Sequence, residues 1–361
     1  MAMIKINEYD DNLNGKTVLL RADFDVPIVD GKITEPFRIN KQKKTIDDLI
    51  NRGARVRIIA HLGNGSQSFA PILDQIITII GHQISFSGSM DTFVNSSDQL
   101  VLLENIRQWP EEKQNDPSFA GQLVQGCDLF VQNASATCHR LHSSIAAMPL
   151  LLPSYAGDVV AEEVEKLGEI LNASQDGKVI ILGGAKASTK IPMIHNMLEI
   201  TEHILVGGVM ANILLKIKGF DIKSSRIDEL PKNLLDSIDV NNKKILIPDD
   251  FVWSEGKILD IGPESTKRFI GVIKNAKLIV WNGPMGKYED EGFGDSTKKI
   301  ANAVIESSGS SVIGGGDTIS AVKSFEINLD KFGFVSTGGG AMLAFLSGEK
   351  LPGLTALDHS D

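Results

Sequence analysis

The chain has 361 residues, a formal charge of −10, 42% hydrophobic and 23% charged residues, a composition expected of a soluble protein with two domains of roughly 150–200 residues each. The acidic balance argues against a nucleic-acid surface, which needs a basic face, and no apolar run approaches the ~20 residues that span a bilayer. Cys127 and Cys138 are the only cysteines and lie in no CxxC or zinc spacing, so no disulfide framework or structural metal is expected. The first residues lack the basic start and apolar core of a secretory signal, and the expected location is the cytoplasm.

The first half alternates apolar runs with amphipathic ones. Residues 17–24, 55–61, 101–105 and 128–132 read as strands, with helical spacing at 38–52 and 118–125. Residues 157–172 hold strong helix formers with apolar residues three and four apart and read as a connecting helix. The rhythm then restarts, with strands at 178–182, 204–206, 244–247, 278–281 and 311–313 and helices at 190–199, 266–274, 296–306 and 318–324. This is α/β architecture: two Rossmann-like, doubly wound parallel sheets joined by a hinge helix.

Glycine-rich turns close several of the second-half strands: Gly183-Gly184, Gly207-Gly208, Gly314-Gly315-Gly316 and Gly338-Gly339-Gly340. Residues without Cβ let backbone amides crowd one point, and a following helix adds its unpaired first-turn N–H groups, so such junctions suit phosphate. Lys186 and Lys190 stand four apart after Gly184, and a helix starting there would present both on one face. Asp317 opens a helix with Thr318 and reads as an N-cap, as a ligand of Mg²⁺ on nucleotide phosphates, or as both. Glu289, beyond the Asn282-Gly283-Pro284 turn, is placed to accept from ribose hydroxyls. In the first half, Asp23, Asp25, Arg38, His61, Arg107 and Arg140 adjoin strand ends. An arginine taken singly is an ordinary surface charge, whereas the set can form an anion pocket in an acidic chain. The run Thr137-Cys138-His139-Arg140-Leu141-His142 lacks the further ligands a metal site needs.

Taken together, Arg21-Ala22-Asp23-Phe24-Asp25-Val26-Pro27, His61-Leu62-Gly63, Leu103-Glu104-Asn105-Ile106-Arg107, Thr137 to His142, Leu182 to Lys186, Trp281 to Gly286, Gly314 to Thr318 and Ser336 to Ala341 resemble the phosphoglycerate kinase family, in order and over nearly the whole chain. The resemblance implies reversible, Mg²⁺-dependent phosphoryl transfer between 1,3-bisphosphoglycerate and ADP, giving 3-phosphoglycerate and ATP, by a hinge-bending monomer. It implies an acid-substrate domain at 1–156, a hinge helix at 157–172, a nucleotide domain at 173–350 and a tail at 351–361 packing back toward the first domain. Asp23, Asp25, Arg38, His61, Arg107 and Arg140 would line the 3-phosphoglycerate site. Gly184, Lys186, Lys190, Gly207, Gly208, Asn282, Glu289, Gly316, Asp317 and Thr318 would hold the adenine nucleotide, with Mg²⁺ on Asp317. Arg38, Lys186 and Gly338 to Gly340 would act on the phosphoryl group in transfer.

The sequence departs from the family pattern at several of these places. Asn64 stands where the family has a substrate-binding arginine, and Asp25 where it has asparagine; the stretch 132–136 is altered too. Val209 replaces a glycine and Lys287 a valine near the expected base site. Asn64 and Asp25 leave open a carboxylate kinase for a less anionic acid. Val209 and Lys287 leave open a weakly active nucleotide-binding regulator.

Overall fold

The computed structural model describes residues 3–9, 12–187, 190–236 and 238–358, and these divide into two compact units, 1–165 with 350–361, and 166–349. Residues 359–361 of the expected tail lie outside those described; within the tail, the Gly353 amide donates to Cys138 O (2.9 Å) and Asp358 bridges Met3, both inside the first unit. The helix Asp158–Asn172 runs across the division at 165/166.

The first unit is built on strands β1 (Thr17–Arg21), β2 (Arg55–Ile59), β3 (Ser85–Ser87), β4 (Leu100–Leu103), β5 (Leu129–Gln132) and β6 (Ser154–Ala156), in the spatial order β3-β4-β2-β1-β5-β6 with every pairing parallel. A parallel sheet is covered on both faces, which is why β1, β4 and β5 are buried throughout and read as continuous rather than alternating runs. Strand β1 lies between β2 and β5, so the chain reverses its direction of growth beside β1 and leaves a crevice at the strand C-termini there. The sequence reading missed β3 and β6, whose cores Ser-Phe-Ser and Ser-Tyr-Ala sit at the sheet edges and lack an apolar run.

The second unit repeats the plan with β7 (Lys178–Leu182), β8 (His203–Val206), β9 (Ile245–Leu246), β10 (Leu278–Asn282), β11 (Ser310–Gly314) and β12 (Phe334–Ser336), ordered β9-β8-β7-β10-β11-β12. Its core gathers Ile180, Leu182, Val206, Met210, Leu214 and Val280. A short hairpin, Phe251–Ser254 with Lys257–Ile261, stands apart from the sheet and was not foreseen. Because the glycine turns follow β7, β8, β11 and β12, parallel pairing places all of them along one edge of one sheet.

Candidate active site

In the first unit the expected residues converge at the C-terminal ends of β1, β2 and β4. Asp23 and Asp25 follow β1, and Arg38 sits in the first turn of helix Phe37–Asn51. Arg38 Nη1 lies 3.2 Å from Asp25 Oδ2, and Nε lies 3.7 Å from the fully buried carboxylate of Asp23. A cation is disfavoured at a helix N-terminus, and these two carboxylates offset that cost. The Gly63 amide donates to Asp25 Oδ1 (2.8 Å), and His61 Nε2 lies 3.5 Å from Oδ2. Burial alone would raise the pKa of Asp25, but His61, the Gly63 amide and Arg38 outweigh it and hold the carboxyl well below the usual range. His61 is pushed down by burial and by the Arg21 cation, only partly countered by Asp25, so the ring is neutral at physiological pH.

Arg107 follows β4, and its Nη1 donates to Gly63 O (2.6 Å). Burial, with the nearby Arg21 and Arg140 charges, lowers its pKa. Arg140 is exposed. His139 is pushed down to about 4 by burial and by Arg140. Cations gathered this closely are suited to a polyanionic guest that offsets their repulsion. The structure adds Arg21, Glu112 and Ser144, which the sequence reading did not select: Arg21 Nε donates to Ser144 Oγ (2.9 Å), and Ser144 Oγ to Glu112 Oε1 (2.6 Å). No local pattern flags Glu112, which lies in the polar run Pro110–Lys113.

In the second unit the glycine turns serve two different purposes. The amides of Gly183, Gly184, Gly207 and Gly208 donate to Asn282 O, Pro284 O, Leu182 O and Met285 O at 2.6–2.9 Å, so these turns are committed to one another rather than to an anion. Gly208 shows why glycine is required: its φ is +56°, and a Cβ there would come within 2.7 Å of the Gly184 backbone. The turn after β8 opens helix Gly208–Ile217, but its Gly208 and Val209 amides are taken by Met285 O and Gly184 O; the turns after β11 and β12 open helices Gly316–Ser324 and Gly339–Leu346, whose first-turn amides have no acceptor inside the helix.

Asn282 and Thr318 brace this edge. The Asn282 amide donates to Gly314 O (2.9 Å) and Gly339 O (3.5 Å); the Thr318 hydroxyl donates to Gly314 O (2.8 Å) and accepts from the Gly283 amide (2.7 Å). Helix Ile191–Ile200 begins after both lysines, so the expectation that Lys186 and Lys190 share a helical face is corrected. Lys186 is exposed, while Lys190 is buried and its Nζ donates to Gly183 O and to Asn282 O. Burial brings its pKa to about 8, with Asp317 opposing and Lys186 adding to that shift. Asp317 is also not an N-cap: Gly315 takes that position, and Asp317 is exposed in the first turn.

A cavity of about 640 Å³ opens beside these turns, lined among others by Gly184, Gly208, Val209, Glu289 and Asp317, a volume typical of a small-molecule site. Lys287 also lines it. Its wall includes Asp260, buried, accepting from Ser296 Oγ and from the Ile261 amide (2.9 Å). Burial raises its pKa to about 6 against those donors. Among the described residues no group of three or more His, Cys, Asp or Glu could hold a metal ion, so a divalent cation here needs ligand oxygens from its guest. An exposed Asp317 beside free helix amides fits Mg²⁺ bound that way, because this ion commonly takes one or two carboxylates with phosphate oxygens and water.

Comparison with known proteins agrees over almost the full length. The phosphoglycerate kinase family model matches residues 7–349. The chain is 35% identical to phosphoglycerate kinase of Moorella thermoacetica, over 98% of this chain and 99% of that protein, and 37% identical to that of Finegoldia magna, over 97% and 98%. Among solved structures it is similar to phosphoglycerate kinase from Coxiella burnetii (TM-score 0.80, 31% identity, 99% of each chain). It is also similar to that from Pyrococcus horikoshii OT3 (TM-score 0.85, 27% identity, 98% of each chain). These relatives favour neither a different acid nor a purely regulatory role. No helix among the described residues is long and apolar enough to cross a membrane.

Proposed function

The chain belongs to the phosphoglycerate kinase family, and from that membership we propose how its residues divide the work. The activity is phosphoryl transfer between a nucleotide and a carboxyl group, interconverting 1,3-bisphosphoglycerate with ADP and 3-phosphoglycerate with ATP. In our reading Asp23, Asp25, Arg38, His61, Arg107 and Arg140 form the acid-substrate site. The cavity beside the glycine turns takes the adenine nucleotide. Lys186 and Lys190 serve its phosphates, and Asp317 holds Mg²⁺, which when bound would neutralise phosphate charge. The helix Asp158–Asn172 acts as the hinge, and the protein works as a cytoplasmic monomer.

The chemistry asks little of the protein beyond positioning. A carboxylate is ionised near neutral pH, so one of its oxygens attacks the γ-phosphorus without a base while the bond to the β–γ bridging oxygen breaks and ADP leaves. Both ring nitrogens of His61 are engaged, Nδ1 by Arg21 and Nε2 by Asp25, in keeping with a site that needs no proton acceptor. Arg38, Lys186 and the Gly339 and Gly340 amides are left to neutralise the equatorial oxygens. The observation that carries this reading is the pairing of two chemistries on one plan. The first sheet gathers arginines at its strand C-termini, while the second gathers lysines, free helix amides and the exposed carboxylates of Asp317 and Glu289.

The test is a coupled assay of ATP consumption with Mg²⁺ and 3-phosphoglycerate, run beside other small carboxylic acids and with GTP as a second donor. Turnover confined to 3-phosphoglycerate is expected. Turnover only with another acid would overturn the substrate assignment. Asp317→Asn should raise the Mg²⁺ concentration needed for half-maximal rate.

A further inference from the structure

A continuous path of side chains runs from a buried carboxylate to the arginine assigned to the transferring phosphate. Glu112 accepts from the Ser144 amide (2.9 Å) and hydroxyl (2.6 Å). Ser144 Oγ accepts from Arg21 Nε (2.9 Å), and Arg21 Nη2 reaches His61 Nδ1 (3.2 Å). His61 Nε2 faces Asp25 Oδ2 (3.5 Å), and Asp25 holds Arg38 (3.2 Å). Glu112, Ser144 and Arg21 are 0% exposed and His61 is 2% exposed, so water does not compete for the bonds among these four, whereas Asp25 and Arg38 at the end of the path are partly exposed.

Each donor along the path has one direction open to it. A guanidinium only donates, so His61 Nδ1 must present its lone pair to Arg21, and the ring proton must sit on Nε2, toward Asp25. At the other end an ionised Glu112 only accepts. It takes the Ser144 hydroxyl proton and thereby turns a serine lone pair toward Arg21 Nε. Burial pushes the Glu112 carboxyl up, but His142, Arg21 and Ser144 outweigh it and keep the group ionised.

We propose that Glu112 and Ser144 are positioning residues: by anchoring Arg21 Nε they keep Nη2 against His61 Nδ1, which locks His61 as its Nε2–H tautomer and so orients the Asp25–Arg38 pair. The consequence for the reaction rests on the reading of His61, Asp25 and Arg38 as the acid-substrate site. The tautomer itself does not. A purely structural role for Glu112 would stabilise the unit without dictating where the His61 proton lies.

The experiment is ¹⁵N NMR of histidine-labelled full-length protein, with His61 assigned by the signal lost in His61→Asn. Wild type should show a single neutral Nε2–H tautomer with Nδ1 as a hydrogen-bond acceptor. Ser144→Ala and Glu112→Gln should each give a mixture containing the Nδ1–H form, while Ser144→Thr, which keeps the hydroxyl, should restore the single form. In the same variants KM for 3-phosphoglycerate should rise about tenfold, the equivalent of one charged hydrogen bond, with KM for ATP unchanged. An unaltered His61 tautomer in Ser144→Ala overturns the proposal, and that variant removes no buried charge should Glu112→Gln fail to fold. A shifted tautomer with unchanged constants for 3-phosphoglycerate upholds the lock and counts instead against the acid-site reading.

Discussion

Arg38 is held by Asp25: Nη1 lies 3.2 Å from Oδ2 and also donates to the Asp25 carbonyl (3.1 Å). The residue assigned to the phosphoryl group is thus paired, in the protein alone, with a carboxylate that an anionic substrate must displace or share. Asp25→Asn keeps an acceptor oxygen that can still orient Arg38 but removes the charge that competes with substrate for it. We expect KM for 3-phosphoglycerate to fall about tenfold, the scale of one charged hydrogen bond, with KM for ATP unchanged. Initial-rate kinetics at fixed Mg²⁺ checks this, and an unchanged KM would show that Asp25 does not compete with substrate.

The same pair makes the first unit sensitive to acid. The folded pKa of Asp25 lies below its ordinary value, so its stabilisation is full at neutral pH. That contribution is lost as pH falls from the ordinary carboxylate range of about 4 toward the folded value. Urea midpoints of wild type and Asp25→Asn should therefore converge as the pH is lowered below about 4; a constant gap would refute the linkage.

Lys190 predicts proton uptake on nucleotide binding. Its folded pKa of about 8 lies below the ordinary 10.5, because burial disfavours the ammonium. The cost of that burial is present below the folded value and is relieved as pH rises through it, where the unfolded chain binds more protons. Phosphate charge near Lys190 should raise the pKa again. Calorimetric titration of ATP near pH 8, in buffers of different ionisation enthalpy, should report uptake of up to about half a proton, because Lys190 is already about half protonated there, falling toward zero at pH 6.5 and in Lys190→Met.

Lys186 is exposed and lies outside the helix that follows it, so Lys186→Ala should leave the circular dichroism spectrum and melting temperature nearly unchanged. Turnover should fall by about two to three orders of magnitude, as for loss of one charge-stabilising group in a transition state. Unaltered kcat would remove Lys186 from the reaction.

Gly339→Ala tests the packing of the glycine-bearing edge. A Cβ at 339 would lie 2.4 Å from Gly315 Cα and 2.9 Å from Asn282 Nδ2, neither of which is the end of a flexible chain. Destabilisation of about 1–3 kcal/mol is expected, with weaker nucleotide binding because the turns after β11 and β12 would be driven apart. Chemical denaturation with and without ATP measures both, and wild-type values would disprove the close approach.

Much of this was legible in the chain. The central strands of both sheets were found because a doubly covered parallel strand is apolar along its whole length, as in Val179 to Leu182. The helix of residues 158–172 was found from its spacing, and the glycine turns marked the ligand edge before any strand order was known. The edge strands of the first sheet escaped, since Ser85–Ser87 is polar enough to pass for a loop. The hairpin Phe251–Ser254 with Lys257–Ile261 escaped too, having only intermediate burial on its first strand.

What the sequence determined by itself was the class of fold, the family and the identity of the charged and glycine-rich segments, because these depend on residue type and local spacing. Only the tertiary structure decided which donors remain for a guest. Chain crossings consume the amides of Gly183, Gly184, Gly207 and Gly208, while the helix starts at Gly316 and Gly339 keep theirs. It also decided that Glu112, Ser144, Arg21 and His61 form one path. Residues 144 and 21 are 123 positions apart and His61 comes from another strand end, and hydrogen bonds across such separations exist only once parallel strands bring their ends together.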